Sequence, residues 1–483
     1  MEILSGSSIR FWLVGIVVLV LGVFSSGQTI SLSPKSGPPT TKLSISGSGF
    51  SPNSAVDIYF DITDEILVIT DGTGALPKST LKTPASAVPG QHWVSAVQRS
   101  TGTGSQAAFT VSTNWSQVGF DPAHRGWNPY ENVLNTGNVG SLDLLWMNNF
   151  GLSVASSTSV VGSRVYFAAN IYDYVAANAS NGSSVWTFAA QDAAFSTPAV
   201  GGGEVCAGSR DDNIYLLNAS TGAVSHSYTT GGPVPGTPAI ANGLCYLGSE
   251  DNNVYAMYLS DGFIPWVYVT GGAIIAPPAI ANGIAYVNST DGNLYALNAS
   301  NGSLIWQFPT GDNSGQAPIV ANGLVFVPTT NEVLALNAKY GFEEWGLLAN
   351  VASTNYEPAL VAANSLLYFC ANGALNAVHS GTGNVSWIDS ITPACSRLSA
   401  ANGVLYVSTY NDLLDAVDSA NGNILWQYSV NGIYGAPAVV NGTVYVGDLK
   451  GNISAFGLPA SAAPKAPARP ALASLSPNLD LKP

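Results

Sequence analysis

The stretch from Ala276 to Gly311 recurs in diverged copies from about residue 157 to residue 459. Each copy holds four short apolar runs, rich in β-branched and aromatic residues and separated by Asn-Gly or Asp-Gly turns, which predicts a four-stranded antiparallel meander. An aromatic residue closes each copy, and a period of about 40 residues indicates a stacked or radial array of sheets. These closing residues are Trp146, Trp186, His226, Trp266, Trp306, Trp345, Trp387 and Trp426.

A ring of such sheets would bury both faces of every sheet and protect their edges. Eight sets of strands begin between Thr158 and Pro437, but the last set ends at Phe456 without a tryptophan strand. The segment Leu142–Phe150 has the missing pattern, so we expect it to complete the eighth sheet. The sequence therefore predicts an all-β protein with an eight-bladed β-propeller over residues 113–459. We expect the tryptophans to dock between blades, with the indole N–H bonded to a turn carbonyl, and not to hold a cofactor.

Two motifs carry a family resemblance. The segment WSQVGFDPAHRGWNPYENVLNTGNVGSLDLLW, residues 115–146, resembles the opening of secreted pyrroloquinoline-quinone (PQQ) dehydrogenases, and ALNASNGSLIW resembles that family's tryptophan-docking motif. The resemblance covers residues 115–459 and implies the fold. It leaves the activity open, because the family also includes non-enzymatic propellers such as the outer-membrane assembly lipoprotein and sensor domains.

Three other segments flank the repeat. Residues 1–27 carry one Arg, an apolar run and small residues before Gln28, which predicts a signal peptide; an uncleaved membrane anchor is the alternative. Residues 28–112 contain short runs of alternating apolar and polar residues, spaced like the strands of a β-sandwich. The segment SPKSGPPTTKLSISGSGF resembles immunoglobulin-like IPT/TIG domains. Residues 460–483 are rich in Pro and Ala and predict a disordered tail. We therefore expect a secreted or periplasmic protein with no stable membrane span after signal cleavage.

The charged residues, cysteines and histidines indicate which partners and sites the chain is expected to have. The formal net charge is −14 and the basic residues do not cluster, which argues against a nucleic-acid partner. Cys370 and Cys395 fall on the same predicted rim, so we expect a disulfide between them. Cys206 and Cys245 lie at opposite parities of equivalent strands, and we expect them to be free thiols. The four histidines show no ligand spacing, so no metal site is predicted.

The residues just before the inner strand of each blade should face the central channel. Most are small, but Glu357 in blade six and Arg397 in blade seven would place an acid and a base side by side at the channel mouth. We expect Tyr356, Gln316, Phe195 and Tyr434 around them. The sequence leaves two interpretations open, a ligand site and a structural ion pair between two blades.

Two functions remain in view. Resemblance to the quinone dehydrogenases implies PQQ and Ca²⁺ in the channel and oxidation of alcohols or sugars. The chain lacks a vicinal Cys-Cys pair and a haem motif, and Glu357 is the one carboxylate that we can assign to the channel. We therefore favour an exported, non-catalytic propeller without a cofactor, which binds a protein or a polysaccharide at the cell surface or in the periplasm.

Overall fold

The computed structural model describes residues 27–154, 156–351, 357–389, 395–433 and 435–482. The predicted signal peptide, apart from Gly27, lies outside these ranges, and so do Tyr356 and Tyr434. Within them the chain is built from strands, with two short 3-10 helices at Val139–Ser141 and Leu472–Ser474. No helix in these ranges has the length and apolar character needed to cross a bilayer.

Residues 28–112 form two sheets that pack face to face. One sheet has the order β1-β3-β6 and the other β2-β8-β7-β4-β5. Leu43 and Ile45 of the first sheet share one buried cluster with Ile58, Val94 and Phe109 of the second. The strands are β1 (Thr29–Ser33), β2 (Ser36–Gly37), β3 (Lys42–Ser48), β4 (Ala55–Phe60), β5 (Thr63–Ile69), β6 (Leu76–Lys82), β7 (Gly90–Gln98) and β8 (Gly104–Val111). We call this part the two-sheet unit.

Two strands precede the repeat, β9 (Trp127–Asn128) and β10 (Asp143–Asn149). The repeat then builds sheets of four strands each. Sheet 1 contains β11 (Ser159–Val161), β12 (Arg164–Ala169), β13 (Asp173–Asn178) and β14 (Ser184–Ala189). Sheet 2 contains β15 (Ala199–Gly201), β16 (Glu204–Gly208), β17 (Asn213–Asn218) and β18 (Val224–Thr229). Sheet 3 contains β19 (Ala239–Ala241), β20 (Leu244–Gly248), β21 (Asn253–Tyr258) and β22 (Trp266–Val269). Sheet 4 contains β23 (Ala279–Ala281), β24 (Ile284–Ser289), β25 (Asn293–Asn298) and β26 (Leu304–Pro309).

The second half of the repeat follows the same order. Sheet 5 contains β27 (Ile319–Ala321), β28 (Leu324–Pro328), β29 (Glu332–Asn337) and β30 (Glu343–Leu348). Sheet 6 contains β31 (Leu360–Ala363), β32 (Leu366–Ala371), β33 (Ala374–His379) and β34 (Val385–Asp389). Sheet 7 contains β35 (Cys395–Ala401), β36 (Val404–Thr409), β37 (Leu413–Asp418) and β38 (Ile424–Ser429). Sheet 8 contains β39 (Ala438–Val440), β40 (Thr443–Gly447) and β41 (Asn452–Gly457), joined by β10.

The recurring Asn-Gly pairs set the hairpin geometry. Asn282 and Gly283 form the whole loop between β23 and β24, and both have positive φ angles, 51° and 78°. Two positive φ values are the signature of a type I′ turn, which matches the twist of the strands that it joins. The same pair therefore fixes the register of the first hairpin in the other copies that carry it.

The array closes on itself. β10 pairs antiparallel with β41, from Asp143 opposite Gly457 to Asn149 opposite Asn452. This pairing confirms that the segment ahead of the first repeat completes the last sheet. The first strands of successive sheets contact each other, and β39 of sheet 8 contacts β11 of sheet 1. The sheets therefore form a propeller ring with no open end.

The docking tryptophans tie each sheet to the next. Trp266 of sheet 3 donates its Nε1–H to the carbonyl of Ala299 beyond β25, at 3.1 Å. Its ring lies on Gly302, where a Cβ would stand 2.6 Å from ring atoms and where φ is +73°. Trp146, Trp186, Trp306, Trp345, Trp387 and Trp426 each donate in the same way to a carbonyl of the following sheet, at 3.0 to 3.2 Å.

A segment that we call the axial strap, Trp115–Asn128, passes along the free edges of the first strands. It bonds to one residue of each sheet in turn, at 2.6 to 2.9 Å, through backbone atoms and the side chains of Gln117 and Asn128. The bonded residues are Val160, Val200, Ile240, Ile280, Val320, Ala362, Ala400 and Val439. Because those free edges face the ring centre, the strap lies on the inner side of the ring along this part of the channel.

The tail differs from the expectation of disorder. Residues 460–482 lie against the two-sheet unit, where Arg469 stacks on Trp93 at 4.5 Å and bonds to Gln106 at 2.7 Å. Farther along, Leu475 joins a buried cluster with Tyr59 and Val97. The sequence pattern missed this contact because isolated side chains make it, and the tail has no periodic apolar face.

Candidate functional site

The acid and base predicted at the channel mouth meet in the structure. Glu357 lies just before β31 and Arg397 lies in β35, and Arg397 Nε is 3.6 Å from Glu357 Oε2. Both residues are buried, with exposed fractions of 4% and 7%. The pair joins neighbouring sheets 6 and 7 in a region shielded from solvent.

The Glu357 carboxylate also reaches across the ring. Its Oε1 accepts hydrogen bonds from the backbone N–H of Ser157, at 2.8 Å, and from the hydroxyl of Thr197. Its Oε2 accepts one from the Ser157 hydroxyl at 2.7 Å. Ser157 precedes sheet 1 and Thr197 precedes sheet 2, so a side chain of sheet 6 bonds to sheets that are not its neighbours. The carboxylate therefore lies at the ring axis.

Further hydrogen bonds extend this cluster. The Ser157 hydroxyl accepts a bond from the backbone N–H of Ala436, ahead of sheet 8, at 2.6 Å. The backbone N–H of Thr197 donates to the hydroxyl of Thr237, ahead of sheet 3, at 3.1 Å. We call Glu357, Arg397, Ser157 and Thr197 the axial network. Hydrogen bonds to a charged acceptor are stronger than those to a neutral acceptor, so the axial network stabilises the arrangement of several sheets around the axis.

The other predicted channel residues divide into three groups. Gln316 is 1% exposed, and neither atom of its side-chain amide has a hydrogen-bond partner in the described part of the chain. Phe195 is half-buried and takes no part in the printed bonds of the axial network. Tyr356 and Tyr434 lie outside the described residues. The sequence thus predicted that Glu357 and Arg397 lie side by side, but it gave no signal for their partners across the axis, Ser157 and Thr197.

A buried histidine lies in the axial strap. His124 has no exposed surface, and neither ring nitrogen has a hydrogen-bond partner among the described residues. Burial without a partner disfavours the charged form and lowers the pKa of His124 to about 3. The ring is therefore neutral at ordinary pH and acts as a core side chain within the strap.

Both cysteine pairs are bonded in the structure. Cys370 and Cys395 are joined across sheets 6 and 7 with a Cα–Cα distance of 5.6 Å. Cys206 and Cys245 are joined as well, at 6.6 Å, so the expectation of two free thiols is wrong here. In a ring, one face of a sheet meets the opposite face of the next sheet. Residues of opposite parity on equivalent strands are therefore the ones that face each other.

Comparison with known proteins places the chain in a family. The family described as outer membrane protein assembly factor BamB matches residues 135–273 and 269–457, about two thirds of the chain. The chain belongs to this family. No curated protein matches the sequence.

Solved structures support the BamB-type fold. BamB from Moraxella catarrhalis is 14% identical with a TM-score of 0.57, covering 66% of this chain and 98% of its own. A quinohemoprotein alcohol dehydrogenase from Comamonas testosteroni is 16% identical with a TM-score of 0.62, covering 71% and 80%. A europium-containing methanol dehydrogenase is 13% identical with a TM-score of 0.61, covering 72% and 98%. Identities this low show a shared fold and leave the activity undecided.

The described residues of this BamB family member do not fit a Ca²⁺ and quinone centre. Ca²⁺ takes six to eight oxygen ligands, several of them carboxylates. Glu357 already accepts three hydrogen bonds and faces Arg397, whose charge competes with a cation. No group of three or more His, Cys, Asp or Glu side chains among the described residues could hold a metal ion. The Glu357 oxygens at the axis are therefore used in hydrogen bonds and an ion pair within the chain.

Proposed function

We propose that this protein is an exported, non-catalytic, eight-bladed propeller that binds a protein or a surface polymer. In this proposal an immunoglobulin-like domain, residues 28–112, precedes the propeller at residues 113–459. The described sheets support eight blades, because sheet 8 contacts sheet 1 through their first strands. The two packed sheets of residues 28–112, with alternating buried residues, support the immunoglobulin-like assignment.

The hydrogen bonds that the chain makes at its own axis are the observation that carries this proposal. At one level the axial strap bonds to the first strand of each sheet. At another the Glu357 carboxylate joins sheets 1, 2, 6 and 7. A quinone dehydrogenase needs its axis for a cofactor. In this chain the described residues at the axis bond to one another at both of these levels, so we expect binding on the rims and outer surfaces.

Three features favour a location outside the cytoplasm. The first 27 residues have the pattern of a signal peptide, and the name of the matching family refers to the outer membrane. Disulfides form and persist in oxidising compartments, and two pairs are bonded here. Mass analysis of a non-reduced digest should find Cys206 linked to Cys245 and Cys370 linked to Cys395. Four free thiols in protein from the native host would contradict export.

The second candidate function is a PQQ- and Ca²⁺-dependent dehydrogenase acting on alcohols or sugars. Its support is the similarity in fold to a quinohemoprotein alcohol dehydrogenase and to a methanol dehydrogenase. The axial network opposes it, because a cofactor would have to displace Glu357 and its partners.

Titration with PQQ in the presence of Ca²⁺ separates the two functions. We expect no saturable quenching of tryptophan fluorescence in the mature protein and no dye reduction with alcohols or sugars. A quinohemoprotein alcohol dehydrogenase stripped of PQQ is the positive control. Saturable quenching, especially if Glu357→Gln weakens it, would overturn the proposal in favour of the dehydrogenase.

A further inference from the structure

Two adjoining cavities border sheets 5 and 6, and the larger also reaches Cys395 and Tyr410 of sheet 7. The larger has a volume of about 430 Å³ and the smaller about 360 Å³, and both are bordered by Thr330, Asn350 and Asn372. Gln316, ahead of β27, borders the larger cavity, and Leu348, at the end of β30, borders the smaller. Because they share bordering residues, the cavities form one depression, which we call the inter-sheet groove. Its size is that of known small-molecule pockets.

The groove has a neutral, amide-rich wall. Its polar side chains are Gln316, Thr330, Asn331, Asn350, Asn372 and Tyr410. None of the described residues that line it carries a charge, although the chain as a whole has a net charge of −14. An anionic ligand would find no cation there, and a metal ion would find no carboxylate. The wall suits a ligand that is polar and uncharged.

Gln316 supplies a second, independent sign of a ligand. It is 1% exposed, and both its Oε1 and its Nε2 lack a hydrogen-bond partner in the described part of the chain. Its backbone carbonyl is held by the Asn288 side chain at 2.9 Å, so the residue itself is fixed in place. Buried amides are nearly always paired, and an unpaired one calls for a specific reason. A ligand that both donates and accepts hydrogen bonds would satisfy it.

The rest of the wall is held in place by the chain. The backbones of Asn350 and Asn372 face each other across the groove floor, with Asn372 N–H donating to the Asn350 carbonyl at 3.2 Å. The bonded pair Cys370 and Cys395 forms part of the same wall. At the rim, Tyr410 is 61% exposed and offers an aromatic face to solvent. The groove therefore combines fixed amides with an accessible ring.

We propose that the inter-sheet groove binds a neutral carbohydrate chain. Sugar hydroxyls both donate and accept hydrogen bonds, as do the amides of Gln316 and the asparagines. The apolar C–H face of a pyranose can pack on the exposed ring of Tyr410. The two adjoining cavities, of about 430 and 360 Å³, have room for more than one linked sugar. This inference rests on the proposed binding function and names the class of polymer that it would take.

Calorimetric titration of the mature protein tests the inference. The probes are neutral hexasaccharides of glucose (β-1,4 and α-1,4), xylose, mannose and N-acetylglucosamine, with hexagalacturonate as an acidic control. We expect saturable binding of at least one neutral probe, and tenfold or more weaker binding of hexagalacturonate. Gln316→Leu should weaken binding of the neutral probe at least tenfold and Tyr410→Ala several-fold. Tyr340→Ala is the matched control, because Tyr340 is 63% exposed and does not line the groove.

Thermal unfolding separates a ligand role for Gln316 from a structural one. Since its amide has no partner among the described residues, Gln316→Leu should leave the unfolding midpoint unchanged or raise it, while binding is lost. A lower midpoint with unchanged sugar binding would overturn the inference. Failure of every neutral probe to bind the wild-type protein would overturn it too, as would a neutral peptide that binds in the groove while the sugars do not.

The PQQ titration distinguishes a failure of this inference from a failure of the proposed function. Sugar binding without any PQQ binding supports both. No sugar binding and no PQQ binding overturns the groove assignment and leaves the non-catalytic propeller. Sugar binding that requires PQQ and Ca²⁺ would overturn the proposed function instead, because it would indicate a dehydrogenase substrate site.

Discussion

Sheets 3 and 4 repeat each other, whereas sheets 6 and 7 depart from the pattern. In sheet 3, Asp251 accepts hydrogen bonds from the Tyr255 hydroxyl at 2.6 Å and from the Gly231 N–H at 2.7 Å. In sheet 4, Asp291 does the same with Tyr295 at 2.6 Å and Gly271 at 2.8 Å. Burial and the bond to Asp291 raise the pKa of Tyr295 to about 12. Equivalent residues of the two sheets therefore make equivalent hydrogen bonds.

In sheets 6 and 7 the equivalent positions carry different chemistry. The position of Tyr255 and Tyr295 is occupied in sheet 7 by Asp415, which is 1% exposed. The position of Thr197 is occupied in sheet 6 by Glu357, and the groove is bordered by sheets 5, 6 and 7. The contrast teaches that departures from the repeat, more than its shared residues, indicate where the buried chemistry of this propeller changes from sheet to sheet.

The largest effect is expected in the regular region. Trp266→Ala removes a buried indole, its bond to Ala299 and its packing on Gly302, and should lower the free energy of unfolding by about 3–5 kcal/mol. His226 occupies the equivalent position in sheet 2 and is only half-buried, so His226→Ala should cost about 1 kcal/mol or less. Guanidinium unfolding monitored by circular dichroism measures both. Equal losses would contradict docking as the main link between these sheets.

The next effect contrasts two carboxylates. Glu357→Gln leaves Arg397 facing an uncharged side chain in a buried site, and should lower the free energy of unfolding by about 3 kcal/mol. Asp251→Asn changes a partly exposed carboxylate of the regular region and should cost about 1 kcal/mol. Urea unfolding at neutral pH gives both values. A cost for Glu357→Gln no greater than that for Asp251→Asn would show that the axial network contributes little stability.

A smaller effect should depend on pH. Burial, opposed by a bond from Gln427 and reinforced by Asp389, raises the pKa of Asp415 to about 6 from 3.8. The folded protein then holds a proton that the unfolded chain releases, so this group costs stability progressively as pH rises from 3.8 to 6. Asp415→Asn should therefore gain about 3 kcal/mol relative to wild type at pH 7 and little at pH 3.5. Tyr286→Phe in sheet 4, whose hydroxyl donates to the backbone carbonyl of Ala338 and to no carboxylate, serves as a control without this pH dependence. A gain that is equal at both pH values would contradict the raised pKa.

The sequence predicted the periodic parts of the fold and missed the parts that pair only once. Asn-Gly turns and the tryptophan period indicated the sheets, and the strand pattern of Leu142–Phe150 indicated ring closure. Glu357 and Arg397 were predicted because they depart from small residues at aligned positions. Their bonds to Ser157 and Thr197 were not predicted, because a repeat describes neighbours along the chain and carries no signal for the opposite side of the ring.

The same reasoning explains the other differences. The axial strap contacts the sheets edge-on, so it has no alternation of its own to reveal its path. The sequence correctly indicated that Cys206 and Cys245 lie at opposite parities of equivalent strands. The prediction of free thiols was wrong, because opposite parity is what brings the two side chains face to face. The tail contacts are made by single side chains such as Arg469 and Leu475 and by backbone atoms of Pro470 and Asn478, and such isolated contacts produce no sequence pattern.

Hydrogen exchange with and without PQQ and Ca²⁺ tests most directly whether the chain fills its own axis. The amides of Val200, Val320 and Ala400 donate to Ser116, Ala123 and Gly126 of the axial strap. We expect these amides to exchange only with global unfolding, at rates that PQQ and Ca²⁺ leave unchanged. Exchange within minutes in the native protein, or slower exchange in the presence of PQQ and Ca²⁺, would show an axis open to a cofactor and contradict this account.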